Sequence, residues 1–215
     1  MSLLKRQREI LVGLVLGDGF IQKTGKRNAR IRLEHSIKQK DYIFWKYKEL
    51  ENMMQSKPKL ITRYNPVYKK TYQYYRCQSH SSPEIGKLHR LFYENSKKRV
   101  PQNINRLLRT PLTLAVWYMD DGYYYPRDNC AYIYLPLYEE DDIKRLLVAL
   151  NDNFGLRPKV LTKKGKYKCL WFNSEEFGKL VRIIEKEIIP SMRYKIPHNP
   201  VSTEDALSED PQENF

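Results

Sequence analysis

Residues 11–19 read LVGLVLGDG, and residues 114–122 read LAVWYMDDG. Each stretch is an apolar run that ends in an acidic residue followed by glycine. The second copy starts 103 positions after the first, in a chain of 215 residues. One such run could arise by chance, whereas two at half-chain spacing indicate that one structural unit is used twice.

The remainder of the sequence repeats in the same order. The segment EIGKLHRL at 84–91 matches EFGKLVRI at 176–183, and a basic residue precedes a proline soon after each copy. Alternation of apolar and charged residues, as in ARIRLEHS at 29–36, predicts strands with one dry face and one charged face. We therefore predict an α+β protein of two pseudo-symmetric αββαββα halves, residues 1–104 and 105–200, each with an antiparallel sheet.

Apolar spacing and turn residues give the approximate bounds of the elements. The predicted helices cover residues 4–18, 40–54, 83–95, 111–121, 139–153 and 174–188. The predicted strands cover residues 19–22, 28–36, 58–64, 70–79, 122–125, 130–137, 157–163 and 166–172.

Charge is the strongest signal in the composition. The chain has 39 Lys and Arg against 25 Asp and Glu, a formal net charge of +14. Residues 201–215 contain five of these acids and neither Lys nor Arg, so residues 1–200 carry +19. A body this basic favours a polyanionic partner, and nucleic acid first of all. The acidic tail is predicted to be disordered.

Neither membrane insertion nor secretion is predicted. No apolar run approaches the roughly 18 residues needed to span a bilayer. The apolar stretch near the N-terminus ends at Asp18 without a cleavage pattern. Cys77, Cys130 and Cys169 form no paired motif and are expected to be buried thiols in a reducing compartment. The sequence therefore predicts an intracellular protein that is not secreted and binds no membrane.

The acids at the ends of the two predicted motif helices require a positive partner. A helix macrodipole places about half a negative charge at the helix C-terminus, which disfavours Asp18 and Asp121 there. If the two helices pack side by side, their carboxylates converge and repel further. Hard oxygen ligands suit Mg²⁺, which can polarise a phosphate oxygen. Asp120 is a rival to Asp121 as the ligand, and alignment on Gly122 favours Asp121.

Packing between the motif helices is expected to be unequal. The first motif has Gly13 and Gly17 on one face, whereas the second has Val116 and Asp120 at the same positions. The two acids are therefore not expected to be placed with perfect twofold symmetry.

The charged faces of the predicted sheets carry groups that can read DNA. A two-stranded ribbon can enter the major groove, where Arg, Lys, Gln and Asn contact base edges, and most other basic residues contact phosphates. In the first half the predicted DNA-binding residues are Gln22, Lys26, Arg30, Arg32, Glu34, Lys70, Arg76 and Gln78. In the second half they are Tyr125, Arg157, Lys159, Lys163, Lys166 and Lys168.

The stretches LVGLVLGDG and LAVWYMDDG resemble the two signature helices of the LAGLIDADG homing endonucleases in their single-chain, two-motif form. The resemblance extends from about residue 5 to residue 200 and includes both motifs, the order of strands and helices, and a lysine before a proline in each half. It is greatest to monomeric enzymes encoded by organellar introns, whose second motif also reads close to WFMDDG. The resemblance implies a homing endonuclease fold, in which two sheets form a saddle for double-stranded DNA.

The resemblance also implies roles for the site residues. The implied metal ligands are the carboxylates of Asp18 and Asp121, at the eighth motif position, and the backbone carbonyls of Gly17 and Asp120. Lys98 and Lys195 match the family's active-site lysines, with Lys97 as a rival to Lys98. The implied reaction is hydrolysis of one phosphodiester per strand with Mg²⁺, for which Mn²⁺ can substitute, leaving short 3′ overhangs at a long target.

The sequence thus predicts a monomeric, site-specific DNA endonuclease encoded by a mobile intron or mobile gene. Two alternatives stay open: an RNA maturase that binds its own intron RNA, and a DNA-binding regulator that does not cleave. Retention of both motif acids favours cleavage. An intron-encoded enzyme would act in a mitochondrion or chloroplast, and a free-standing one in the cytoplasm.

Overall fold

The computed structural model describes residues 3–165 and 167–197. Its α-helices are α1 Lys5–Leu16, α2 Lys40–Glu49, α3 Pro83–Phe92, α4 Ile104–Leu107, α5 Pro111–Asp121, α6 Glu140–Phe154 and α7 Ser174–Ile184. Its strands are β1 Phe20–Lys23, β2 Ala29–Ser36, β3 Lys59–Asn65, β4 Lys70–Gln78, β5 Tyr93–Glu94, β6 Lys97–Lys98, β7 Gly122–Tyr125, β8 Cys130–Tyr134, β9 Lys159–Lys163 and β10 Tyr167–Phe172. The predictions for Lys166 and for the tail at 201–215 fall outside the described residues.

Two four-stranded antiparallel sheets have the same strand order. The first runs β1-β2-β4-β3 and the second runs β7-β8-β10-β9. In each sheet, the strand that follows a motif acid pairs with the next strand along the chain. Gln22 lies opposite Arg30 in the first sheet, and Tyr125 lies opposite Cys130 in the second. The prediction of an α+β fold with two similar antiparallel sheets is confirmed.

One face of each sheet is buried beneath helices. Helices α2 and α3 pack on β2, and α7 packs on β8 and β10. Burial alternates along β2, because Ala29, Ile31 and Leu33 are in the core and the residues between them are not. Burying one aliphatic side chain of this size stabilises a fold by about 1.5–3 kcal/mol. The polar side chains of each sheet therefore collect on the opposite, partly exposed face.

Helices α1 and α5 run in the same direction and touch closely at two glycines, Gly13 within α1 and Gly17 directly after it. A Cβ atom at Gly13 would lie 2.7 Å from both the carbonyl oxygen of Thr113 and the Cβ of Val116. A Cβ atom at Gly17 would lie 2.5 Å from the Cβ of Asp120. Only residues without a side chain fit there. The small residues lie on the first motif and the larger ones on the second, so the expected unequal packing is confirmed.

Several predicted helices are longer than the observed ones. Helix α2 ends at Glu49 instead of 54, because Leu50 leaves the helical conformation (φ −112°) and a short 3-10 turn, Glu51–Met53, follows. Helix α7 ends at Ile184 instead of 188. Strand β8 ends at Tyr134, shortly before Pro136, which has no N–H to donate to a sheet.

The hairpin formed by β5 and β6 begins inside the helix predicted at 83–95. Helix α3 stops at Phe92, and Asn95 and Ser96 adopt positive φ angles of 48° and 64°. Positive φ at both central residues is typical of a two-residue hairpin turn and excludes a continuing helix. This hairpin carries Lys98, so its formation decides where that lysine points.

The described residues include all three cysteines and every helix that could be tested as a membrane span. Cys77, Cys130 and Cys169 are free and buried, as expected. In the described part of the chain, no helix combines the length and the apolar character that a membrane span requires.

Candidate active site and nucleic-acid interface

The candidate active site lies where the C-terminal ends of α1 and α5 meet. Asp18 follows α1 by two positions, and Asp121 is the last residue of α5. Close packing at Gly17 brings the two segments into direct contact, since the Asp18 backbone N–H donates to Oδ2 of Asp120 at 3.1 Å. Acids from both halves of the chain therefore converge on one place.

Burial and repulsion between carboxylates raise the pKa values of both motif acids. Burial, and then the charges of Asp18 and Asp120, raises the pKa of Asp121 to about 8. Partial burial raises the pKa of Asp18 as well, and the carboxylate of Asp120 adds to the rise. Asp18 nevertheless has a solvent-exposed surface, so a ligand can reach it. A cation would relieve this repulsion, and carboxylate and carbonyl oxygens are donors that fit a hard divalent ion.

Two lysines donate hydrogen bonds to backbone carbonyls beside the motif acids, one from a strand and one from a 3-10 turn. Lys98 ends strand β6, and its Nζ donates to the carbonyl oxygen of Gly17 at 2.6 Å. Lys195 ends the 3-10 turn Pro190–Lys195, and its Nζ donates to the carbonyl oxygens of Met119 at 2.5 Å and Asp120 at 3.1 Å. Each lysine thus binds the carbonyl that precedes the motif acid of its own half. Burial lowers the pKa of both lysines, while the neighbouring aspartates oppose this fall.

A buried network beneath Asp120 was not predicted from the sequence. Lys46, 0% exposed, donates to Oδ1 of Asp120 at 2.5 Å and to Nε2 of His35 at 2.6 Å. The Tyr42 hydroxyl donates to the same Oδ1 at 2.8 Å. Burial, and then the charge of Lys46, lowers the pKa of His35 to about 3, so its ring is neutral. Its Nδ1–H donates to Gln39, which leaves Nε2 to accept from Lys46.

The sequence did contain a signal for this network. Tyr42, Ile43, Lys46 and Leu50 share the spacing of one helical face, and all four are buried. A lysine on an apolar helical face is expected to have a buried acidic partner.

One close cluster of candidate metal-binding side chains was found among the described residues. Asp18, His35 and Asp120 each have one potential ligand atom within 4.8 Å of the others. However, His35 and Asp120 both bind Lys46, whose ammonium occupies the position that a cation would take. The Asp120 side chain is therefore a poor ligand. The carboxylates of Asp18 and Asp121 make no hydrogen bond to side chains of residues 3–165 or 167–197, so they are the better candidates.

The polar face of the first sheet carries most of the DNA-binding residues predicted for the first half. The strand register places Gln22 opposite Arg30, Arg32 opposite Gln78, Glu34 opposite Arg76, and Lys70 opposite Asn65. Lys26 lies in the exposed turn that joins β1 to β2. The face is therefore rich in groups that form hydrogen bonds.

Many of these groups are already paired with one another. Gln22 Oε1 accepts hydrogen bonds from Arg30 at 3.0 Å and Arg32 at 3.1 Å. Glu34 accepts from Arg63 at 2.8 Å and from Arg76 at 2.6 Å. Although burial opposes it, these hydrogen bonds lower the pKa of Glu34. The pairs orient the arginines over the sheet.

The corresponding face of the second sheet is mainly aromatic, which the sequence prediction missed. The register lines up Tyr123, Tyr132, Trp171 and Lys159 across four strands, and Tyr125, Tyr134 and Lys163 share their face. The Lys163 Nζ lies 4.0 Å from the ring centroid of Tyr132. The Lys159 Nζ lies 5.8 Å from that of Trp171. The sequence signal was the alternation of tyrosines along YIY at 132–134.

Two basic residues predicted to bind DNA face the helices instead. Lys168 lies opposite Thr162, on the buried face of β10, and binds Glu140 of α6. Arg157 precedes β9, and its Nε donates to Asn151 of α6 at 2.8 Å. The structure thus places both side chains beside α6, and their contact with DNA stays a prediction. Lys168 points away from the open face because neighbouring strand residues point to opposite faces.

Two parallel motif helices that end in converging acids, each followed by a similar antiparallel sheet, define a two-motif endonuclease scaffold. The LAGLIDADG DNA endonuclease family matches residues 8–180. The chain belongs to this family.

Individual relatives agree with this assignment. "Probable intron-encoded endonuclease 1" of Wickerhamomyces canadensis is 28% identical, over 92% of this chain and 87% of its own length. Cytochrome b mRNA maturase bI2 of Debaryomyces hansenii is 25% identical, over 89% of this chain and 74% of its own. The structure of the homing endonuclease I-WcaI bound to its DNA recognition sequence has a TM-score of 0.84 and 25% identity, covering 93% of this chain and 89% of that one.

Proposed function

We propose that this family member is a site-specific DNA endonuclease that makes a double-strand break by Mg²⁺-dependent hydrolysis of one phosphodiester per strand. The observation that carries the proposal is the convergence of the Asp18 and Asp121 segments, one from each half, each leading into the first strand of a similar sheet. The intron-encoded relative and the DNA-bound I-WcaI structure support it. The target is a long duplex, and cleavage leaves short 3′ overhangs.

Each part of the candidate site has a role in this proposal. The residues that would hold Mg²⁺ are Asp18 and Asp121, through their carboxylates, and Gly17 and Asp120, through their carbonyls. Bound Mg²⁺ supplies Lewis-acid stabilisation of the phosphate, and Mn²⁺, which accepts similar oxygen ligands, is expected to substitute. Lys98 and Lys195 keep positive charge beside these ligands, where it stabilises charge that develops on the phosphate.

The partners follow from the same arrangement. The exposed sheet faces bind the duplex, and the net charge of +19 on residues 1–200 attracts its phosphates. We propose that one chain acts as a monomer, since both motif acids belong to the same chain. The intron-encoded relative supports an organellar setting.

Substitution of the motif acids tests this function. The target is first isolated by selecting cleaved molecules from a library of randomised duplexes with Mg²⁺. Asp18→Asn and Asp121→Asn should each abolish double-strand cleavage, because each removes a carboxylate ligand. Binding of the same duplex in Ca²⁺ should stay within about threefold, since most binding comes from the sheet faces. Cleavage at the normal rate by the double variant would overturn the proposal.

A maturase role is the second candidate, because a cytochrome b mRNA maturase is among the relatives. Such a role would require binding to intron RNA in addition to DNA. Stimulated splicing of the host intron in vitro, by protein that also carries Asp18→Asn, would establish it separately from cleavage. An unchanged splicing rate would exclude it for that intron.

A further inference from the structure

The two motif acids are held in different ways. The residue before each acid is Gly17 in the first motif and Asp120 in the second. Asp120 extends its carboxylate to the first motif, where Oδ2 accepts the backbone N–H of Asp18 at 3.1 Å. Gly17 has no side chain and cannot do the same for Asp121.

The Asp120 carboxylate is itself held rigidly. Its Oδ1 accepts hydrogen bonds from Lys46 at 2.5 Å and from Tyr42 at 2.8 Å, and the Asp120 and Lys46 side chains are both 0% exposed. Burying such an ion pair brings a large desolvation cost, so it is weak support for a purely stabilising role. The ion pair also lies directly behind Asp18, because the same carboxylate accepts the Asp18 backbone N–H.

We propose that Asp120 is a positioning residue that, together with Lys46 and Tyr42, fixes the backbone at Asp18 and so orients the acid of the first motif alone. This inference rests on the proposed endonuclease function. Because no side chain in residues 3–165 or 167–197 supports the backbone of Asp121 in this way, loss of the network should affect the two strands of the target unequally. The half-reaction that depends on Asp18 should be the slower one.

Two double variants separate the hydrogen bond from the ion pair. Asp120→Leu/Lys46→Met and Asp120→Asn/Lys46→Met both remove the buried charges and have side chains of similar size. Only the Asn variant keeps an oxygen that can accept from the Asp18 N–H. Any effect of losing the ion pair is common to both, so a difference between them reports on the acceptor.

The first measurement needs neither metal nor DNA. Amide hydrogen exchange is followed in peptides that cover residues 17–22. Exchange there should be faster in the Leu variant than in the Asn variant, which should resemble the wild-type protein. Equal exchange in the two variants would overturn the proposal, whatever the enzyme cleaves.

The second measurement follows each strand of the target separately, with label on one strand at a time. The Leu variant should cut one strand about tenfold or more slowly relative to the other, because misplacing a reacting group by a small distance costs this much or more. The Asn variant should stay within about threefold of the wild-type ratio. Equal slowing of both strands by the Leu variant would overturn the proposal.

Two further variants complete the experiment. Tyr42→Phe keeps both charges and removes the hydroxyl that donates to Asp120 at 2.8 Å and to the Val116 carbonyl at 3.3 Å. It should therefore give the same strand bias to a smaller degree even if the double variants do not fold; no bias would count against the proposal. Gln7→Met, at the other end of α1, removes a buried side-chain hydrogen bond to Asn52 and serves as the stability control. It should lower stability without strand bias. If the wild-type protein cuts no duplex, the proposed function fails, and the exchange comparison still tests the positioning.

Discussion

A buried ammonium group contributes to phosphodiester cleavage only where it can reach the reacting groups. The Nζ of Lys98 lies 2.6 Å from the Gly17 carbonyl, whereas the neighbouring Lys97 has an exposed side chain. Lys98→Met should therefore slow cleavage by about 100-fold or more, in line with the loss of one preorganised charged donor. The measurement is the single-turnover rate at saturating enzyme. Lys97→Met is the matched control and should cleave nearly as the wild-type protein does; an equal loss in both variants would contradict the assignment.

The positions of individual residues could be predicted from the sequence where the repeated motif fixes them. The repeat alone placed Asp18 and Asp121 at the ends of two paired helices. It could not find the partners of Asp120, because Lys46 and Tyr42 lie 74 and 78 residues away in sequence and reach Asp120 only in the folded chain. The face of Lys168 was equally hard to predict, since a shift of one residue in strand register moves a side chain to the opposite face.

At the scale of elements, the α1–α5 contact depends on a glycine with no room beside it. A Cβ at Gly13 would lie 2.7 Å from the backbone oxygen of Thr113, which cannot move without shifting α5. Gly13→Ala should therefore destabilise the protein by about 1–3 kcal/mol, the usual cost of overpacking. Urea unfolding measures this change.

Gly178 provides the matched control for that substitution. It also lies inside a helix, α7, but the nearest atom to an added Cβ is the Arg182 Nη1 at 3.8 Å. Gly178→Ala should stabilise the protein by about 0.5–1 kcal/mol, because alanine loses less conformational freedom in a helix than glycine does. Destabilisation by both substitutions to the same extent would show that crowding at Gly13 is not the cause.

Element order was easier to predict than element ends. Hydrophobic periodicity and turn residues identified both motif helices and all eight strands of the two large sheets, although the edge strands β3 and β9 contain no buried residue. The β5–β6 hairpin escaped because its turn uses Asn95 and Ser96, without the glycine that usually marks such turns. The helix predicted at 83–95 therefore extends over β5 and into this turn.

At the scale of the whole molecule, the net charge of +19 on residues 1–200 predicts how DNA binding responds to salt. Each phosphate neutralised contributes about −0.9 to the slope of log affinity against log salt concentration, so even a handful of contacts gives a slope of about −4. Fluorescence anisotropy in Ca²⁺, from about 50 to 300 mM KCl, measures it. A flat response would be inconsistent with binding through the basic sheet faces.

The two sheets share a topology but differ in chemistry, which predicts unequal reading of the two halves of the target. The first sheet presents hydrogen-bonding groups such as Arg30 and Gln78, which match guanine and adenine edges in the major groove. The second presents Tyr132 and Trp171, with lysines held over their rings. Aromatic side chains make apolar contacts, for example with thymine methyl groups, and discriminate less between bases. Mismatches under the first sheet should therefore cost about 1–3 kcal/mol each, and those under the second sheet less.

A pair of alanine substitutions tests this difference. Arg30→Ala should relax the preference at one or two base pairs, because it removes directional hydrogen bonds. Tyr132→Ala should weaken binding to all sequences similarly, because it removes contact area that does not depend on base identity. Binding to a library with every single base-pair change in the target measures both effects. If Tyr132→Ala relaxed the preference at particular base pairs and Arg30→Ala did not, the second sheet would be the more selective one. That result would contradict the prediction that hydrogen-bonding groups on the first sheet provide most of the sequence discrimination.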